Sequence, residues 1–173
     1  MVLAANAILY QLFMLGALVL DGFESAAQVL SGEALGARDR ARFDRQVRLT
    51  LAWAGGCAVL IAGVYALAGV PLAATFSTDP QVVATTAVYA VWAVALPLAG
   101  VTSFVFDGVF IGASWTRGML ASMAAALVVC VVLLFALSPL GNHGLWLAFT
   151  LFFVARAAGQ ALPMPRLAAR SFV

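Results

Sequence analysis

The chain has 173 residues, of which 65% are hydrophobic and only 9% charged. A water-facing surface needs roughly a quarter of its residues charged, so this composition excludes a soluble monomer and points to lipid as the solvent. The formal net charge of +2 is small; what matters is where the charges fall. The 9 basic residues occupy three places, Arg38–Arg48, Arg117 and Arg156–Arg170, with long apolar stretches between them. The loops around Pro71–Pro80 and Ser138–Gly144 carry no Lys or Arg. That alternation is the positive-inside signature of a multi-pass membrane protein, so the basic charge is read as topological and no nucleic-acid partner is expected.

A membrane span needs roughly twenty apolar residues. Five segments qualify, about residues 5–35, 49–70, 81–112, 118–138 and 144–163, which predicts an all-α polytopic transmembrane helical bundle forming a single domain. The first segment is long for one crossing and carries Asp21, Glu24 and Glu33, which predicts tilt, extension beyond the bilayer, or shielding by neighbours. Its start, MVLAANAILYQLF, lacks the positive n-region of a secretory signal. On a helix Asp21, Glu24 and Gln28 are spaced i, i+3 and i+7 and share a face. A central Asp facing lipid costs about 2.5–3.5 kcal/mol even on insertion-based scales, so this stripe is expected to face a protein or water-filled interior. Two neighbouring carboxylates readily share a proton, which makes Asp21 and Glu24 candidate carriers of a coupling ion; a hydrogen bond from Asn6, Gln11 or a neighbouring Ser or Thr is the structural alternative for Asp21. Gly32 and Gly36, four apart, would let another helix approach closely.

The basic stretch Arg38–Arg48 reads as a loop on the cytoplasmic side, and Glu33 beside it as interfacial. The second segment, Leu49–Val70, ends at Pro71. Before the third, Ser77, Thr78 and Asp79 are possible caps, with Pro80 at the first helical turn. Inside that third segment Pro97 removes a backbone N–H and is expected to kink the helix. Asp107 follows, with Gly108 and Gly112 as a second small-xxx-small pair. Two readings are open for Asp107: a carboxylate paired with Arg117 about ten residues on, or a functional group within the apolar interior. Arg156, inside the last segment, either snorkels to the interface or serves as the buried partner of an acid. Trp53, Trp115 and Trp146 are expected in interfacial belts. Phe23, Phe104, Phe106, Phe110, Phe152 and Phe153 read as packing or lipid contacts.

Cys57 and Cys130 each sit in an apolar run and read as packed thiols. With one His, His143 in an outer loop, and no Cys/His cluster, no metal site, catalytic residue or bound cofactor is expected, and the chain reads as a non-enzyme. The span count places residue 1 on the outer side and the C-terminus in the cytoplasm. An outside start with no targeting device predicts that upstream helices belong to the intact protein.

Two stretches carry a family resemblance. AANAILYQLFMLGALVLDGFESAAQVLSGEALGARDR resembles the second helix of a lobe, and the loop after it, in multidrug and toxic compound extrusion (MATE) transporters, above all their DinF-like branch. LPLAGVTSFVFDGVFIGASWTRGMLASM is similar to the fourth helix of the same lobe, and RDRARFDRQVR to the loop joining helices two and three. The resemblance implies twelve helices in two six-helix lobes, with these five as most of the carboxy-terminal lobe and an amino-terminal lobe as the missing partner. It further implies an antiporter in the plasma (inner) membrane, exporting small organic, often cationic, compounds in exchange for H⁺ or Na⁺. The family's DinF-like proton site belongs to the other lobe, so Asp21, Glu24 and Asp107 inherit no role from it. A lipid-linked polysaccharide flippase and an inactive truncated fragment are the alternatives.

Overall fold

The computed structural model describes residues 1–172 and contains six α-helices and one 3₁₀ turn. These are α1 (Val2–Gly36), α2 (Arg40–Phe76), α3 (Pro80–Gly112), α4 (Thr116–Ala136), α5 (Asn142–Ala161) and α6 (Met164–Ser171), with the 3₁₀ turn at Ser138–Leu140 between α4 and α5. Five helices are long and apolar enough to cross a membrane. The chain is therefore a multi-pass membrane protein, as the composition requires.

Two of the expected boundaries move. The basic stretch is not a loop: only Ala37–Asp39 separates α1 from α2. Arg38 adopts a left-handed conformation at φ 53°, and the amide of Asp39 closes back on the carbonyl of Ala34 at 3.0 Å, the helix-ending geometry that satisfies free carbonyls. Asp39 then caps α2 by accepting a hydrogen bond from the amide of Arg42 at 2.8 Å. One turn on, Arg40 pairs with Asp44 at 2.9 Å, and Arg42 reaches back to Glu33 at 2.7 Å. A cap and two local ion pairs thus convert a charge-rich linker into the protruding first turns of a 37-residue helix, whose length of roughly 55 Å exceeds a ~30 Å hydrocarbon core. At its other end α2 does not stop at Pro71 but continues to Phe76. A proline removes one amide donor, and neighbouring helices and hydroxyls can compensate the freed carbonyl inside a bundle.

The start of α3 follows expectation: Asp79 accepts from the amide of Gln81 at 2.9 Å, and Pro80 occupies the first turn. Pro97 lies within α3, buried, with its ring beside Gly16 of α1. The region after α5 is helical too, since α6 seats Ala168 inward while Arg166 and Arg170 remain exposed.

Contacts along the helices fix their directions. Glu24 meets Gly108 and Gln28 meets Gly112, while Phe13 meets Phe149 and Phe153, so α1, α3 and α5 run parallel. Tyr65 of α2 donates to the carbonyl of Leu12 at 2.6 Å, and Gly144 and Gly159 of α5 contact Leu137 and Ser122 around α4, so α2 and α4 run the opposite way. Consequently the basic segments gather at one end. There Phe43, Trp115 and Phe172 form an aromatic knot with ring centroids 5.4–5.9 Å apart, and the Trp115 indole donates to Ser171 at 3.0 Å. At the other end Asn6 and Asn142 exchange two hydrogen bonds of 2.7 and 2.9 Å. The Trp146 indole also donates to Asn6, while Trp92 donates to His143. Trp115 and Trp146 are therefore buried structural groups rather than belt residues; Trp53 is exposed. A buried indole N–H needs an acceptor, and both have one.

This arrangement makes a direct topological prediction. Single cysteines at positions 42 and 143, introduced into a cysteine-free form of the full-length protein, should be labelled by an impermeant reagent from opposite faces of the membrane. Labelling from the same face would be incompatible with the helix directions.

Candidate functional site

The polar centre of the bundle forms where α1, α3 and α5 meet. Asp107 is 3% exposed, among buried Val105, Phe106, Val109 and Phe110 of its own helix. Its carboxylate makes an ion pair with the Arg156 guanidinium and accepts a hydrogen bond of 2.6 Å from Nε2 of Gln160. Arg156 and Gln160 stand four apart on α5, on one face, so both reach the same acid. The pairing with Arg117 does not occur: Arg117 is exposed beyond the end of α3, whereas α5 runs beside Asp107. Of the two readings for Arg156, the structure decides for the buried partner. A charge this deep persists only when paired and hydrogen-bonded.

Gln160 is fully buried, yet sequence reasoning did not single it out. The available signal was its position one turn after an intramembrane arginine. Two atoms of this network, Arg156 Nε and Gln160 Oε1, are buried without a hydrogen-bond partner.

The acidic stripe of α1 lies against this pair from the side. Leu20, Ala27, Ser31 and Ala34 form the buried face of α1; Glu24 falls on that face and is half-buried, while Asp21 and Gln28 sit at its exposed margin. The expected interior stripe is thus split by a rotation of about 100° per residue, which carries Glu24 inward and leaves its neighbours outside. Glu24 lies within Coulombic reach of Asp107, Asp21 and Arg156. Asn6 is not a partner of Asp21, being committed to Asn142 and Trp146.

The glycines explain how α1 comes so near. A Cβ at Gly108 would overlap the carbonyl oxygen of Glu24, and one at Gly112 would overlap the carbonyl of Gln28 and the hydroxyl of Ser31. Gly32 faces the Gly112 carbonyl, 3.2 Å from where its Cβ would stand. Gly36, by contrast, has nothing within 4 Å and makes no close helix contact.

Toward the opposite end, α1, α4 and α5 enclose an open groove of about 510 Å³ lined by Tyr10, Leu134, Trp146 and Phe149 among others, with no charged side chain. It lies well away from Asp107.

The chain matches the MatE family over residues 1–136. It is 38% identical over 160 residues to DNA damage-inducible protein F of Escherichia coli (strain K12), an alignment covering 92% of this chain and 35% of that relative. The chain thus spans about a third of that relative's length. No solved structure gives a significant match. With a family match over most of its length, a relative at this identity, and five apolar helices around a buried acid–base network, the chain belongs to the MatE family of membrane transporters, in its DinF-like branch.

Proposed function

We propose that this chain forms most of the carboxy-terminal lobe of a secondary antiporter that exports small organic, often cationic, compounds in exchange for H⁺ or Na⁺. In this reading the lobe works with an amino-terminal lobe in the plasma (inner) membrane, its basic end and C-terminus in the cytoplasm. The observation that carries the reading is the concentration of ionisable groups at one level of three apolar helices. Glu24, Asp21 and Asp107 supply three acids to one base, Arg156. An excess of carboxylates along apolar helices, with Asp107 buried and Glu24 half-buried, has to be met by protons or by other cations, which is the property a cation-coupled carrier requires. Intramembrane acids of this kind serve as relays in transporters and pumps.

The test is export by the full-length protein in inverted vesicles, driven in turn by a proton gradient and a sodium gradient. Glu24→Gln is expected to reduce gradient-driven export to background with normal protein levels, and Asp21→Asn to weaken it. Unchanged export and pH dependence in both variants would remove these carboxylates from coupling. Failure of the wild-type protein to respond to either gradient would reject antiport.

A further inference from the structure

We infer that Arg156 is a built-in cation of this lobe, keeping Asp107 occupied, and that Glu24 is the carboxylate that gains and loses the transported proton, with the guanidinium extending to Glu24 when the proton leaves. The inference rests on the antiporter reading and assigns its working groups.

Three observations support it. The first is that Asp107 is fully engaged, with Arg156 on one oxygen and Gln160 on the other. With a donor on each oxygen, a tethered cation against it and only 3% of its surface exposed, this carboxylate is closed to exchange with water.

The second is spare donor capacity on Arg156. A guanidinium has five N–H donors in a planar fork, and the contact to Asp107 uses one terminal nitrogen, while Nε is buried without a partner. A second carboxylate can therefore be taken without surrendering the first.

The third is position. Gly108, next in the chain to Asp107, seats the backbone of Glu24 directly against α3, which brings Glu24 to the level of the ion pair. The Glu24 side chain is only half-buried and has no hydrogen bond or ion pair among the described residues, so it can exchange a proton with water while Asp107 cannot.

The groups facing Glu24 are few. Its own helix offers Asp21, α3 offers Asp107, and α5 offers Arg156. Between Leu49 and Phe76, α2 has no charged residue, only Cys57 and Tyr65 as titratable groups, and Tyr65 is committed to Leu12. Protonated Glu24 leaves one neutral ion couple, Asp107 with Arg156; release of the proton to water leaves a second carboxylate and a net charge of −1 on the three groups, with the guanidinium shared between the two acids.

Two measurements on the full-length protein in lipid test this. In infrared difference spectra between acidic and alkaline buffer, the protonated-carboxyl band should disappear in Glu24→Gln and persist in the neutral pair Asp107→Asn/Arg156→Gln. The reverse assignment would overturn the inference. In proton-driven export, Arg156→Lys keeps the charge but loses the fork that spans two carboxylates. It is expected to shift the half-maximal pH of export upward by about one unit, a tenfold change in proton concentration, at normal protein level. An unchanged profile would make Arg156 a structural staple. Should the lysine variant not accumulate, the infrared assignment alone decides, because it needs no transport. Wild type that shows the Glu24 band but no gradient-driven export would refute antiport and leave the proton assignment standing.

Discussion

Gly108→Ala should sharply reduce the amount of folded protein, although it adds a single methyl group. The new Cβ would occupy the position of the Glu24 carbonyl oxygen and come within 3.0 Å of the Ala27 side chain. The obstacle is main chain, which cannot rotate aside as a side-chain tip would. Overpacking a close-packed interior costs about 1–3 kcal/mol, and here α1 must be pushed away from α3 along the seam that also holds Gly112. Larger residues at position 108 should abolish accumulation. The matched control is Gly22→Ala, at the glycine of the other Asp-Gly of the sequence: nothing lies within 4 Å of a Cβ there, and alanine favours a helix by about 1 kcal/mol over glycine. Thermal unfolding of the detergent-solubilised full-length protein, read by size-exclusion chromatography, should separate the two variants. Equal stability would mean that α1 and α3 do not approach as described.

Arg156→Met is expected to be the most damaging substitution on α5. It strands the carboxylate of Asp107, which is 3% exposed, and breaking one side of a buried ion pair costs about 3–5 kcal/mol. Pairing it with Asp107→Asn removes the orphaned charge while keeping an acceptor for Gln160. The double variant should therefore recover most of the lost stability, since replacing both members of a buried pair is often close to neutral. A double-mutant cycle on the same unfolding measurement gives the coupling. Additive losses would show that Arg156 and Asp107 act independently. Arg117→Met, at an exposed position, should leave stability unchanged and so exclude the alternative partner suggested by sequence distance.

Much of the architecture was legible in the residues because the bilayer is a strict solvent. Five apolar segments, separated by basic and non-basic ends in alternation, determined a multi-pass helical bundle: only helices and closed barrels satisfy their hydrogen bonds in hydrocarbon, and uninterrupted apolar runs of about twenty residues suit the helix. Asp79 before Pro80 set the start of α3 through local capping chemistry, which needs only neighbours in sequence. The helix ends that were misplaced are those where local signals compete. The linker Arg38–Arg48 is charged, yet Asp39 caps it and Asp44 and Glu33 neutralise two of its arginines. Pro71 interrupts one hydrogen bond without ending α2.

The candidate site divides in the same way. The sequence by itself determined that Asp21, Glu24, Asp107 and Arg156 lie within apolar helices, and that each would need a partner or a purpose, because the cost of an isolated intramembrane charge does not depend on the fold. Only the tertiary structure decided which acid holds the base. Asp21-Gly22 and Asp107-Gly108 are the same dipeptide in similar apolar surroundings, yet Gly22 faces open space while Gly108 is pressed against α1. Asp21 is exposed and Asp107 is locked to Arg156 and Gln160 of a helix about fifty residues away in sequence. Periodicity along one helix fixes which residues share a face, but the neighbour that face meets is set by how α1, α3 and α5 pack together, and that information is distributed over all three helices.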